Sequence, residues 1–164
     1  DESVEEAEKD IKDDGGLVPF GYVSNPQGKG QFLRLDKDQK VKAGVAANAI
    51  QKAIITNAFR GNLVASALYM ATDNPKGMED LEEKLNESIE GDRTIKDVRF
   101  LMVELQHLGG IGLVSAIPYW KQDGEWVFGE GVQRRVPPEL HKVVQGAFED
   151  AAGKQQAQKF EGEG

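Results

Sequence analysis

Cysteine is absent from this chain of 164 residues. Its absence excludes disulfides, thiolate nucleophiles and zinc sites built on thiolates. Histidine is nearly as scarce, because His107 and His141 are the only two. Neither belongs to a His-Glu-x-x-His helix or a His-x-His pair, and no calcium-loop spacing occurs. The sequence therefore predicts no bound metal.

Long apolar runs and an excess of positive charge are also missing. No run approaches the ~20 residues that a membrane-spanning helix needs, so we expect no membrane span. The 28 acidic residues exceed the 20 Lys and Arg and give a formal net charge of −8. Such an acidic surface repels a polyanion, so nucleic acid is not an expected partner. The acids concentrate in residues 1–14 and 73–92, which we interpret as solvated helix faces, with an acidic docking surface as the alternative.

Motifs for catalysis and for nucleotide binding are missing as well. No serine lies in a Gly-x-Ser-x-Gly turn. The glycine-rich segment 21–30 joins two predicted strands and has no Ser or Thr after Lys29, so it does not predict a phosphate-binding loop. We therefore predict no catalytic residue and no organic cofactor. One alternative stays open, because Glu104 interrupts an apolar strand and His107 ends it, as polar residues beside a pocket would.

The first part of the chain has helix and strand patterns in alternation. Residues 3–11 predict a short amphipathic helix, with Ser3 as its N-cap. Residues 17–24 and 31–36 predict two strands joined by an Asn-Pro-Gln-Gly turn. Because Pro19 cannot donate to a sheet ladder, we expect the first strand to lie at a sheet edge or to be bulged there.

The remainder of the chain continues this alternation. Residues 39–59 have a wide, alanine-rich apolar stripe typical of a helix that packs across a sheet. Residues 63–71 are almost wholly apolar, which predicts a central strand covered on both faces. Residues 75–91 are acidic and compatible with a surface helix. Strand patterns then cover residues 97–107, 111–120 and 125–130, and a helical pattern covers residues 139–152.

The resulting element order is αββαβ(α)βββα. Consecutive strands joined by tight turns predict an α+β fold, with a mostly antiparallel sheet of five or six strands and helices packed on it. The length fits one domain, for which we expect residues 1–152. Residues 153–164 are polar and flanked by glycine, which predicts a flexible tail.

Two resemblances accompany this prediction. The element order resembles that of the roadblock and longin domains, which belong to the profilin-like folds. The segment LVPFGYVSNPQGKGQ, the LVASALYMA strand, and the VELQH, IPYW and VFGE segments resemble a set of small uncharacterised bacterial proteins, in which the same features recur in the same order. This resemblance implies a bacterial protein of the same fold and implies no activity.

The strand patterns around the Asp-Gly pair at positions 123 and 124 predict a hairpin, which we call the aromatic hairpin. They hold both tryptophans, and their large aromatics are Tyr119, Trp120, Trp126 and Phe128. Core-facing aromatics would be packing residues only, whereas one that stands on the sheet face or edge would anchor a partner. One face cannot bury Tyr119, Trp126 and Phe128 beside the central helix without crowding, so we expect partial exposure.

The sequence thus predicts a non-enzymatic interaction or structural module. It would bind a protein partner, or itself as a homo-oligomer, through a sheet edge or the aromatic hairpin. The alternative is a small hydrolase or ligand-sensing domain with a pocket near Glu104 and His107, which a deep concave pocket would favour. The chain opens Asp-Glu-Ser without Met, as after signal-peptide removal, which predicts a periplasmic or secreted protein; a chain trimmed for expression would open the same way, so the alternative is cytoplasmic.

Overall fold

The computed structural model describes residues 2–35, 42–73, 87, 89 and 98–142. Within them the α+β class is confirmed. The elements in chain order are α1 (Glu2–Asp14), β1 (Phe20–Ser24), β2 (Gly30–Arg34), α2 (Ala43–Phe59), β3 (Ala65–Thr72), β4 (Arg99–His107), β5 (Ile111–Gln122), β6 (Glu125–Phe128) and β7 (Val132–Arg135). Residues 139–142 are also helical.

The strands form a single seven-stranded sheet in the order β2-β1-β3-β4-β5-β6, and β7 also pairs with β5. All of these pairings are antiparallel. Strand β3, predicted to be central from its apolar sequence, lies between β1 and β4. Strand β7 was not predicted, because its polar sequence VQRR has no apolar alternation.

Strands β6 and β7 together form one edge of the sheet beside β5. The Gly129 amide, just after β6, donates to the Pro118 carbonyl at 2.8 Å. Val132, the first residue of β7, pairs with Ala116. The two residues between Gly129 and Val132 therefore lie opposite a single residue of β5, which is the geometry of a β-bulge.

Strand β1 is internal and continuous, so the prediction of an edge or bulged strand was wrong. It pairs with β2 on one side and β3 on the other through all five of its residues. Pro19 lies just before the strand, where its missing N–H removes no ladder hydrogen bond. A Cβ atom at Gly21 would lie 2.9 Å from Cγ2 of Ile50, so this glycine lets α2 approach the sheet closely.

The two long helices lie on opposite faces of the sheet. Ala7 and Ile11 of α1 pack on one face, which we call the α1 face, in a cluster with Phe20, Ala67, Tyr69, Leu101, Val103 and Tyr119. Ile50 and Ile54 of α2 pack on the other, the α2 face, in a cluster with Val23, Ala58, Leu63, Leu68 and Leu140. A third cluster on the α2 face surrounds Trp120 and Phe100.

Ser3 lies inside α1, so the prediction that it caps the helix was wrong. The helix spans Glu2–Asp14, and Ser3 is 2% exposed. Its hydroxyl is hydrogen-bonded to the hydroxyl of Tyr69 in β3. The capping pattern treated Ser3 as a surface residue at a helix start, whereas the tertiary fold turns this position toward the core.

Arg34 holds α1 against strand β2. Its guanidinium donates to the carboxylates of Asp10 at 2.9 Å and Glu6 at 3.1 Å. The same guanidinium lies 4.4 Å from the ring centroid of Phe20, within cation–π range. Part of the acidic N-terminal segment is therefore engaged in ion pairs with the sheet.

Helix α2 ends as the sequence predicts, since Gly61 has a φ of 72° just after it. Its start at Ala43 is later than the predicted residue 39, and residues 36–41 lie outside the described residues. Most of the predicted helix at 75–91, the end of the last predicted helix and the predicted tail at 153–164 also lie outside them. No helix in the described part is long and apolar enough to cross a membrane.

Candidate binding surface

The aromatic hairpin consists of β5, a two-residue turn and β6. Asp123 has a φ of 53° and Gly124 a φ of 82°, while Gln122 and Glu125 pair directly on either side of them. Positive φ at both central positions is the geometry of a type I′ turn, for which Asp-Gly is a preferred sequence. The turn predicted at this pair is therefore confirmed.

The hairpin places its aromatics on different faces and at different depths. Tyr119 pairs with Phe128, and Lys121 pairs with Trp126, all on the α1 face. Trp120 lies on the α2 face and is 3% exposed, and Tyr119 is fully buried. Trp126 and Phe128 are only half-buried. Of the four aromatics that the sequence singled out, these two remain accessible to a partner.

The crowding expected beside the central helix does not arise, because α2 packs on the opposite face. The helix on the α1 face contributes Ala7 and Ile11 to the shared cluster. Tyr119 has room to stack on Phe128, with ring centroids 5.6 Å apart and planes at 29°. Trp126 meets Tyr119 edge-on at a centroid distance of 5.6 Å. The partial exposure of Trp126 and Phe128 follows from their position at the sheet edge.

The hydroxyl of Tyr119 is buried, and among the described residues it has no hydrogen-bond partner. Burial raises the pKa of this phenol, because the phenolate would lose its hydration. The positive charge of Arg99, which pairs with Tyr119 across β4 and β5, opposes the rise, and Asp73 adds to it. Tyr119 therefore stays neutral at physiological pH.

Glu104 and His107 point to opposite faces of β4. Glu104 pairs with Leu68 on the α2 face and accepts a hydrogen bond from Nε2 of Gln106 at 3.3 Å. His107 is exposed on the α1 face, and its Nδ1 accepts the Gly109 amide of the following turn at 2.8 Å. The structure therefore does not bring the two side chains together into a pocket. Each has a local structural partner.

Two lysines flank the half-buried aromatics. Nζ of Lys121 lies 5.3 Å from the Trp126 ring centroid, and Nζ of Lys12, from the last turn of α1, lies 5.8 Å from that of Phe128. Both distances are within cation–π range. An open cavity of about 390 Å³ adjoins them, and its lining includes Lys12, Gly124, Glu125 and Trp126.

The backbone N–H and C=O groups of Trp126 and Phe128 point outward from the edge of the sheet, away from β5. Residues that flank a two-residue hairpin turn exchange hydrogen bonds, and the pairs along the ladder then alternate. Trp126 and Phe128 fall in the pairs that make no hydrogen bonds with β5. The hydrogen bond from Gly129 to Pro118 agrees with this, because the pair next to a hydrogen-bonded pair is not hydrogen-bonded. In the described part of the chain no strand pairs with the outer side of β6. Two N–H and two C=O groups are therefore presented at this edge.

Comparisons with known proteins give no relative for this chain. No family model matches it, and neither a curated protein nor a solved structure matches it. Within the described residues, no three His, Asp or Glu side chains lie close enough together to hold a metal ion.

The surface at β6 was only partly foreseen from the sequence. Trp126 and Phe128 were predicted as candidates, whereas Lys121 and Lys12 were not. Lys121 could have been found, because it neighbours Trp120 and the hairpin register places it opposite Trp126. Lys12 has no such signal, since only the packing of α1 on the sheet brings it near Phe128.

Proposed function

We propose that this protein is a non-enzymatic interaction module that binds an extended segment of a partner protein along β6. The observation that carries the proposal is the coincidence of two features at one sheet edge. Trp126 and Phe128 present backbone groups there that pair with no strand of the described residues, and the side chains of the same two residues are half-buried on the α1 face. A strand added to such an edge gains hydrogen bonds from its backbone and selectivity from alternate side chains.

The rest of this edge is less suited to strand addition. A bulge separates β7 from β6, and β7 carries the exposed pair Arg134 and Arg135. Bulges and charged side chains are the usual means by which natural sheets protect an edge. The aromatic part is therefore limited to the four residues of β6.

The opposite edge of the sheet, strand β2, also has a half-buried aromatic residue, Phe32, but the cation beside it is already paired. The guanidinium of Arg34 lies 5.7 Å from the ring centroid of Phe32. The ring of Phe32 also contacts that of Tyr22 edge-on, with their centroids 4.9 Å apart. Arg34 is itself fixed by its ion pairs with Glu6 and Asp10. A partner that added to β2 would meet a cation already held by two carboxylates, whereas the lysines beside β6 form no ion pair with an acid of the described residues.

A selection of displayed random peptides on the immobilised protein tests the proposal. We expect the selected peptides to slow hydrogen exchange at the amides of Trp126 and Phe128, as strand addition does, and to leave the Phe32 amide unchanged. Trp126→Thr, which keeps a β-forming residue, should weaken binding, and Gln133→Thr on β7 is the matched control. Peptides that protect other amides, or a selection that yields no binder, would contradict the proposal.

Sedimentation of the protein alone distinguishes binding of a separate partner from self-association of this chain. We expect a monomer across the concentration series. A dimer whose formation protects the amides of Trp126 and Phe128 would make a second copy of the chain the occupant of β6, and the proposal of a separate partner would then be wrong.

A further inference from the structure

We infer that the partner segment carries two acidic side chains at alternate positions, one to meet Lys121 and the other to meet Lys12. This inference rests on the proposed function, since it names the chemistry of the segment that pairs with β6. Its basis is the placement of the two ammonium groups. Each lies near the ring of one of the two residues whose backbone faces outward.

The side chain of Lys121 extends from β5 toward the edge strand β6. Its Cα belongs to β5, one strand in from the edge, but its Nζ lies 5.3 Å from the ring of Trp126, which belongs to β6. The ammonium group is therefore displaced toward the edge, within reach of a side chain on the next strand. Lys12 approaches the same strand from α1, with its Nζ 5.8 Å from the ring of Phe128.

Neither ammonium group forms an ion pair with an acid of the described residues. The ion pairs found among those residues join Arg34 to Glu6 and Asp10, and Arg99 to Asp73. Glu125 lines the adjoining cavity, but strand alternation assigns it to the face opposite Trp126. Lys121 and Lys12 therefore place two positive charges beside β6, although the whole chain has a net charge of −8.

Strand geometry sets the spacing of the acids. Residues of an added strand that lie opposite Trp126 and Phe128 are two positions apart and project to the same face. Side chains directly opposite each other have Cβ atoms about 4.5–5.5 Å apart, so a Glu at each position reaches over the ring beside it. An acid one position away would project to the α2 face and meet neither lysine.

The same charges disfavour a second copy of this chain as the occupant. Antiparallel pairing of β6 with β6 of another copy would place Trp126 beside Phe128 of the other copy. It would also gather two Lys121 and two Lys12 side chains on one face. Like charges at close range oppose such pairing, whereas an acidic segment is attracted.

Three synthetic peptides of matched length test the spacing. Their sequences are Thr-Val-Glu-Val-Glu-Val-Thr, with acids at alternate positions, Thr-Val-Val-Glu-Glu-Val-Thr, with the same composition and adjacent acids, and Thr-Val-Lys-Val-Lys-Val-Thr. Binding is followed by hydrogen exchange at the amides of Trp126 and Phe128, and by the fluorescence of Trp126 in a Trp120→Phe background. We expect the first peptide to bind about two- to fivefold more tightly than the second, the effect of one exposed ion pair, and the third to bind most weakly.

Variants of the protein test whether the two lysines cause the preference for acids at alternate positions. Lys121→Gln and Lys12→Gln should each reduce the preference for alternate over adjacent acids. Lys9→Gln, which removes the same charge from an exposed position of α1, should leave it unchanged. Equal binding of all three peptides with protection of both amides would overturn the acidic preference and leave strand capture intact. Binding of none of them at β6, together with failure of the peptide selection, would overturn both.

Discussion

The hydroxyl groups of Ser3 and Tyr69 are hydrogen-bonded to each other in the protein interior, 66 positions apart in the sequence. The bond joins the first turn of α1 to the middle of the central strand β3. Ser3 is 2% and Tyr69 1% exposed, so water cannot readily replace either partner. Together with the ion pairs of Arg34, this bond fixes α1 on the sheet and thereby positions Lys12 beside β6.

Ser3→Ala should lower the free energy of unfolding by about 1–3 kcal/mol, because it leaves the hydroxyl of Tyr69 buried without this partner. The double variant Ser3→Ala/Tyr69→Phe should recover much of that loss, since neither polar group then remains. Urea unfolding of the two single variants and the double variant measures the coupling. Strictly additive effects would show that the two hydroxyls do not stabilise each other.

Stability should fall in alkaline solution because two tyrosines are buried. Burial raises the pKa of both Tyr69 and Tyr119 above the ordinary value of 10.0, although the bond from Ser3 opposes the rise at Tyr69. Above pH 10 the unfolded chain releases phenolic protons that the folded chain retains. The stability present below that pH is therefore lost as pH rises.

Tyr119→Phe provides the test of this pH dependence. At neutral pH it should change the free energy of unfolding only slightly. The hydroxyl has no hydrogen-bond partner among the described residues, so the substitution removes a few packing contacts and no hydrogen bond. In alkaline solution the variant should lose stability less steeply than the parent. Urea midpoints measured from about pH 8 to pH 11 check both statements, and parallel curves for the two proteins would contradict the second.

Leu68→Ala should destabilise the protein by about 2–5 kcal/mol, as a large-to-small change in a packed core does. Leu68 belongs to the central strand, is 8% exposed and packs in the cluster beneath α2. The unfolding midpoint in urea measures the effect. A midpoint equal to that of the parent would show that the strand does not contribute to the core.

Gly112→Ala should cost about 1–3 kcal/mol through overpacking. A Cβ atom at Gly112 would lie 2.7 Å from the carbonyl oxygen of Val136 and 2.8 Å from that of Pro137, both of them backbone atoms. The matched control is Gly16→Ala, because a Cβ atom there has no neighbour within 4 Å. Equal stability of the two variants would show that the chain after β7 does not pack tightly on β5.

The two tryptophans should respond differently to a collisional quencher. In Trp120→Phe the remaining Trp126 should be quenched by acrylamide, because it is half-buried at the edge. In Trp126→Phe the remaining Trp120 should be protected, since it is 3% exposed on the α2 face. Protection of Trp126 in the free monomer would mean that the β6 edge is already covered, which would remove the proposed binding surface.

The sequence by itself determined the local elements and the fold class. An almost wholly apolar run predicted β3, strand patterns predicted β4 and β5, and the Asp-Gly pair predicted the turn between Gln122 and Glu125. These features depend on a residue and its near neighbours, because side-chain period and backbone φ are local properties. Trp126 and Phe128 could be proposed as binding residues for the same reason.

Tertiary structure alone decided which helix covers which face, and this determined the rest of the site. An apolar stripe shows that a helix is covered, but both α1 and α2 have one, and nothing in the sequence assigns either to the face of Trp126. Strand β7 forms because β5 offers it a partner, since of its four residues only Val132 packs against a core cluster. Ser3 in the core and Lys12 beside Phe128 follow from the same assignment of α1, since each contact joins residues far apart in sequence.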